Sequence, residues 1–115
     1  MSVQEQLELH YQSMLSAIGE TKAMLAEVKS RRVRLEEQVA LLLSEESTFE
    51  QKAKDALQQE DESAARDFLV KKREKQAKRI GFEEKIEFLS QKIMTFFLKL
   101  NTDNSFGLNL MRLLG

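Results

Sequence analysis

Residues 56–65 read Ala56-Leu57-Gln58-Gln59-Glu60-Asp61-Glu62-Ser63-Ala64-Ala65, and whether the chain reverses there decides the fold. From Gln58 to Ser63 there is no apolar residue, no glycine and no proline. Judged by turn chemistry alone, one continuous helix is the alternative, because tight turns draw on Gly, Pro, Asn and Asp. The flanks argue for a reversal. Asp61 and Glu62 suit a helix N-terminus, where the peptide dipoles leave partial positive charge. Beyond them Ala65, Phe68 and Leu69 open a new apolar face.

Upstream of this tip runs a heptad stripe: Leu7, Tyr11, Met14, Ile18, Thr21, Leu25, Val28, Arg32, Leu35, Val39, Leu42, Glu46, Phe49, Ala53 and Ala56. Its spacing alternates four and three without a phase error. Twelve of the fifteen positions are apolar, which decides for a 3.5-residue seam over a chance pattern. Ser2 with Glu5 three residues later forms a capping box at the start. Gly19 costs about 1 kcal/mol against alanine and does not by itself end a helix. The pattern predicts one helix over residues 3–58.

Downstream the seam reads Phe82, Ile86, Leu89, Ile93, Phe96 and Leu100, again at three-four spacing. Between it and the tip lies the basic run 71–79, with Lys72, Lys75 and Arg79 at seam positions. Folding the chain about residues 60–61 pairs positions whose numbers sum to about 121. Glu46 then faces Lys75, Glu45 faces Gln76, and Leu42 faces Arg79. Val39 meets Phe82, Leu35 meets Ile86, and Val28 meets Ile93. The polar breaks on the two arms coincide, although each stripe is defined by its own arm alone. The expectation is an all-α fold: a long antiparallel two-helix coiled-coil hairpin, residues 1–100, with its tip at 58–63 and a second helix over 61–100. Asn101-Thr102-Asp103-Asn104-Ser105 reads as a turn, followed by a short apolar tail to residue 115. By this pairing the first helix overhangs the second up to about residue 20, and its stripe there needs a cover.

The bulk numbers agree. The 115 residues include no proline, cysteine or tryptophan, four glycines and 32% charged side chains, the profile of long helices. Proline is the strongest helix breaker, so its absence permits long helices. Two helices enclose little interior, so partners or self-association supply further burial. Lack of cysteine excludes disulfides and thiolate metal sites and fits a reducing, cytoplasmic compartment. No run of about 18 apolar residues exists to span a membrane, and the N-terminus lacks the regions of a signal peptide. A net charge of −1 gives no general attraction to nucleic acid or anionic lipid.

No catalytic, cofactor or metal site is expected. His10 is the only histidine, beside seam residue Tyr11, and reads as a surface or seam-edge residue. Glycine-rich phosphate loops and hydrolase or metalloprotease motifs are absent. The basic run 71–79 has two readings: a phosphate-attracting patch, or an ion-paired face opposite Glu45, Glu46 and Glu50, which is preferred. No aromatics interleave with its lysines, which counts against nucleic acid. Arg32, at a seam position, specifies register or reaches an acidic group of a neighbour. The tail carries Phe106, Leu108, Leu110, Met111, Leu113 and Leu114. It reads as a lid over the start of the first helix, with Phe106, Leu110 and Leu113 the alternative contacts for a partner or for peripheral binding to an anionic membrane.

Around the tip, residues 49–72 resemble the hairpin tip of the phage-shock protein A family, which includes the vesicle-inducing plastid protein and is related to the ESCRT-III membrane-remodelling proteins. The pattern is K-A-x-x-A-L, a short acidic linker, then an A-R-x-x-L-x-K-like segment. It is matched here by Lys52, Ala53, Ala56, Leu57, Glu60, Asp61, Glu62, Ala65, Arg66, Leu69 and Lys72. The resemblance implies a hairpin that self-associates on membranes through its tip, with Glu60, Glu62 and Arg66 as contact residues. The partner is then another copy or a larger homologue, at the inner membrane face. Family members carry an amphipathic helix before the hairpin and further helices after it, whereas this sequence starts almost directly with the hairpin. The resemblance then implies a minimal relative, a regulator that caps a larger homologue's polymers, or an excised fragment. The competing expectation is a soluble coiled-coil adaptor or chaperone-like hairpin binding one protein partner.

Overall fold

The computed structural model describes residues 2–114, with side chains described for all of these except 106, 107, 110, 111, 113 and 114. Two helices, α1 (Val3–Gln58) and α2 (Glu62–Leu114), are joined by Gln59-Glu60-Asp61. The described residues contain no strand, and the fold is an all-α helical hairpin. Helix α1 begins as the sequence predicts: Ser2 Oγ accepts the Glu5 N–H at 3.1 Å, and the Ser2 carbonyl accepts the Gln6 N–H.

The reversal uses a Schellman closure that no glycine announces. Glu60 adopts φ 58°, the left-handed region in which a Cβ is disfavoured by roughly 1–2 kcal/mol. Its N–H donates to Leu57 O at 3.0 Å, and the Asp61 N–H donates to Ala56 O at 2.9 Å. These bonds satisfy carbonyls that the end of α1 would otherwise orphan. Asp61 then opens α2. Its Oδ1 accepts the Ala64 N–H at 3.1 Å and its carbonyl accepts the Ala65 N–H. One residue therefore both closes the first helix and caps the second.

The chain divides into two compact units, Arg31–Phe88 and Met1–Ser30 with Leu89–Gly115. In the Arg31–Phe88 unit the seam nearest the tip is built from Ala53, Ala56 and Ala65, all buried. Small side chains permit the close helix approach that a three-residue connection demands. Further along lie buried Leu42 and half-buried Leu35, Val39, Phe82 and Ile86. In the other unit Ile18, Leu25 and Leu100 form a buried cluster against which Ile93 and Phe96 pack. Thr21, buried within this unit's seam, returns its hydroxyl to Ala17 O at 3.0 Å and so brings no unsatisfied donor. All fifteen predicted seam positions of α1 are buried or half-buried; the only other such residue on that helix is Glu45. The expected positions on α2 match as well, except Leu69, which follows the seam by one residue and is 38% exposed.

A second correction concerns residues 101–105, expected to be a turn. Helix α2 runs through them to Leu114. Turn-forming side chains end a helix only where the backbone gains by leaving it. Here Thr102 Oγ donates to Leu98 O at 3.0 Å, Asn101, Asn104 and Ser105 face solvent, and half-buried Asp103 keeps the three-four rhythm. With no proline, nothing forces the break. The overhang predicted for the start of α1 is not found, since Leu7, Tyr11 and Met14 are half-buried.

Candidate assembly interface

The three tip residues singled out by sequence lie together at the reversal. Glu60 holds the left-handed position. Glu62 and Arg66 stand one turn apart at the start of α2, with Arg66 Nη2 3.9 Å from Glu62 Oε2 and side chains 81% and 78% exposed. A pair this open contributes little to the fold. Both groups remain accessible to a partner.

Behind the tip, three of the six basic residues of the run 71–79 form ion pairs with α1. Lys72 Nζ lies 3.5 Å from Glu50 Oε1, and Lys75 Nζ 2.8 Å from Glu45 Oε2. Arg79 makes two parallel bonds to Glu46, Nε to Oε2 at 2.6 Å and Nη2 to Oε1 at 3.1 Å, and a third from Nη1 to Glu83 Oε1 at 2.8 Å. The hydrogen bond to Glu46, then that to Glu83, holds the Arg79 guanidinium above even its ordinary high pKa. The partner assignment differs from the expected one, which set Glu46 against Lys75 and Leu42 against Arg79. Each Cα–Cβ bond leans toward the N-terminus of its own helix. In an antiparallel pair Glu46 leans away from the tip and Arg79 toward it, so the two meet one turn off the level register. Arg32 turns to its own helix, with Nε 3.6 Å from Glu36 Oε1.

An aromatic pair, which the sequence reading did not assemble, spans the helices near the tip. The rings of Phe49 and Phe68 stack with centroids 6.5 Å apart and planes 26° apart. Lys52 Nζ lies 5.6 and 5.8 Å from the two centroids, and Lys71 Nζ 6.0 and 5.9 Å. Each lysine sits three residues after its own phenylalanine, the spacing that shares a helix face, and that signal was available in the sequence. Beside this cluster an open depression is lined by Ser44, Glu45, Thr48, Phe49, Lys52 and Lys75. His10 is exposed, in a shallow depression formed by α1 alone with Gln6, Leu9 and Ser13.

The seam leaves much apolar surface uncovered. No large side chain among the described residues is fully buried, while Leu15, Leu41, Leu43, Leu57, Phe88 and Phe97 are among the exposed ones. Burying a Leu or Phe completely is worth about 1.5–3 kcal/mol, so this surface is a substantial unused source of association energy. The candidate tail contacts Phe106, Leu110 and Leu113 lie outside the described side chains. Among the described residues no helix is long and apolar enough to cross a membrane, and no group of His, Cys, Asp or Glu is placed to hold a metal ion. Comparison with protein-family models, with characterised proteins and with solved structures found no match to this chain.

Proposed function

We propose that this chain is a non-enzymatic, self-associating scaffold, a hairpin of the membrane-stress and membrane-remodelling type. The observation that carries the reading is the set of large apolar side chains left exposed on both helices outside a continuous seam. Exposed apolar side chains, where they are contiguous, mark surfaces of association. The exposed tip residues Glu60, Glu62 and Arg66 support the same reading, because solvated charges at the end of a hairpin are free to pair with a neighbour. Contact with lipid is peripheral, at the cytoplasmic face of an anionic membrane.

Sedimentation velocity over a range of concentrations tests the assembly, and co-sedimentation with phosphatidylglycerol vesicles tests the lipid contact, with phosphatidylcholine vesicles as control. Concentration-dependent growth beyond a small oligomer, with retention on the anionic vesicles, is the expected result. A chain that stays monomeric at every concentration overturns the scaffold. Small discrete oligomers that ignore both vesicles favour an adaptor for one protein partner instead.

A further inference from the structure

The two broad faces of the Arg31–Phe88 unit carry opposite charge patterns. The heptad repeat that builds the seam also fixes the rows beside it. On one face lie the residues just before every second seam position: Lys52, Lys71, Lys78 and Lys85, preceding Ala53, Lys72, Arg79 and Ile86, with Glu45, before Glu46, held by Lys75 at 2.8 Å. That the two helices share this face is seen at Lys52 and Lys71, which sit over the same pair of rings. On the other face lie the residues just after the intervening seam positions. Glu36, Glu50 and Glu83 follow Leu35, Phe49 and Phe82, with Glu62 seven residues before Leu69 in the same row. Within the Arg31–Phe88 unit this row itself holds no lysine or arginine. Exposed Leu43, Leu57 and Leu69 stand between the glutamates.

Nearer the tip the next rows outward reverse the signs, while farther from it Arg34 lies outside the lysines and Glu87 outside the glutamates. Outside the lysines stand Asp55, Asp67 and Glu74, and outside the glutamates stand Lys54, Arg66 and Arg73, all exposed. All four glutamates spend part of their charge within the chain, Glu36 on Arg32, Glu50 on Lys72, Glu62 on Arg66 and Glu83 on Arg79, yet each remains about half exposed or more.

From this pattern we propose that copies of the chain stack face to face, parallel and in register, the lysine face of one on the glutamate–leucine face of the next. A second copy displaced along the face normal brings Lys52 over Glu50, Lys85 over Glu83, Asp67 over Arg66 and Glu74 over Arg73. No like charges meet in these rows. Turning the copy over, so that identical faces touch, sets lysines against lysines or glutamates against glutamates, which costs association energy. Because the two contacting faces differ, the contact does not close at two copies but repeats, giving an open stack. The proposal rests on the self-association read above and specifies its surface.

Two double variants at exposed positions of α2 test it: Asp67→Lys/Glu74→Lys on the first face and Arg66→Glu/Arg73→Glu on the second. Circular dichroism melts establish that each folds. Each variant alone should associate about tenfold more weakly than wild type, and an equimolar mixture should recover wild-type assembly by alternating along the stack. If a reversed variant loses helicity, Arg66→Gln/Arg73→Gln carries the same comparison, with weakened association expected. Wild-type assembly matched by Arg66→Glu/Arg73→Glu alone, or a mixture no better than its components, overturns the stack while leaving self-association standing. A wild-type chain that sediments as a monomer throughout overturns both.

Discussion

Arg79 reaches Glu46 from the opposite helix through two parallel hydrogen bonds, at a seam position where both side chains are largely withdrawn from water, 18% and 9% exposed. Breaking such a pair is costlier than replacing it, since the abandoned charge loses its partner but keeps its desolvation. Glu46→Ala should therefore lower the thermal midpoint by several degrees, and Arg79→Ala should do likewise. The double replacement Glu46→Leu/Arg79→Leu should recover most or all of the loss. Thermal melts of the four proteins give the comparison. The arginine's raised pKa means its stabilisation is complete below the ordinary arginine value and is lost only as pH rises past the folded one. From neutral to moderately alkaline pH, its contribution should stay flat.

Asp61 caps α2 while ending α1, so its side chain has an effect that an exposed position would not otherwise show. Asp61→Ala should cost about 1 kcal/mol, with Asp61→Asn close to neutral. Amide hydrogen exchange should quicken first at residues 63–65, the opening turn of α2.

Glu60 occupies a backbone position that favours glycine. Replacing it with glycine removes a left-handed penalty of roughly 1–2 kcal/mol and adds unfolded-state entropy worth about 0.5–1 kcal/mol. Glu60→Gly should be stabilising by about 0.5–1 kcal/mol in chemical denaturation, and Glu60→Val clearly destabilising. A glycine variant less stable than wild type would show that the Glu60 side chain has a role the backbone does not reveal.

Gly19 lies inside α1 with nothing within 4 Å of where a Cβ would stand. Alanine there has room and a better helix propensity, so Gly19→Ala should add up to about 1 kcal/mol. A shift of the urea midpoint at unchanged slope would show it.

The two stripes were legible because a long 3.5-residue repeat declares which side of each helix is covered, and every α1 position it named is withdrawn from solvent. The reversal was legible only indirectly, through the match of polar breaks on the arms. Its chemistry was not, because a glutamate with φ 58° gives no sequence signal of the kind glycine gives. The pairing of Glu46 with Arg79 was hidden for another reason. Level-by-level folding ignores the lean of side chains along their helices, which moved the bond by one turn. Residues 101–105 misled because turn propensity is a local tendency, and the continuing seam at Leu100 and Asp103 outweighed it. Among the tip residues, proximity could be read from sequence, while the Phe49–Phe68 stack needed both helices in place.

The single residue shared by the two helix ends also sets the rotational phase between the arms. One residue added within 59–61 and absorbed into α2 would turn that helix by about 100°, carrying the lysine row toward the seam and the apolar row toward water. Length can change freely only in whole heptads, and only when both arms change together. Viable variants of this hairpin should therefore differ by paired seven-residue steps, with the three residues of the reversal held at constant length.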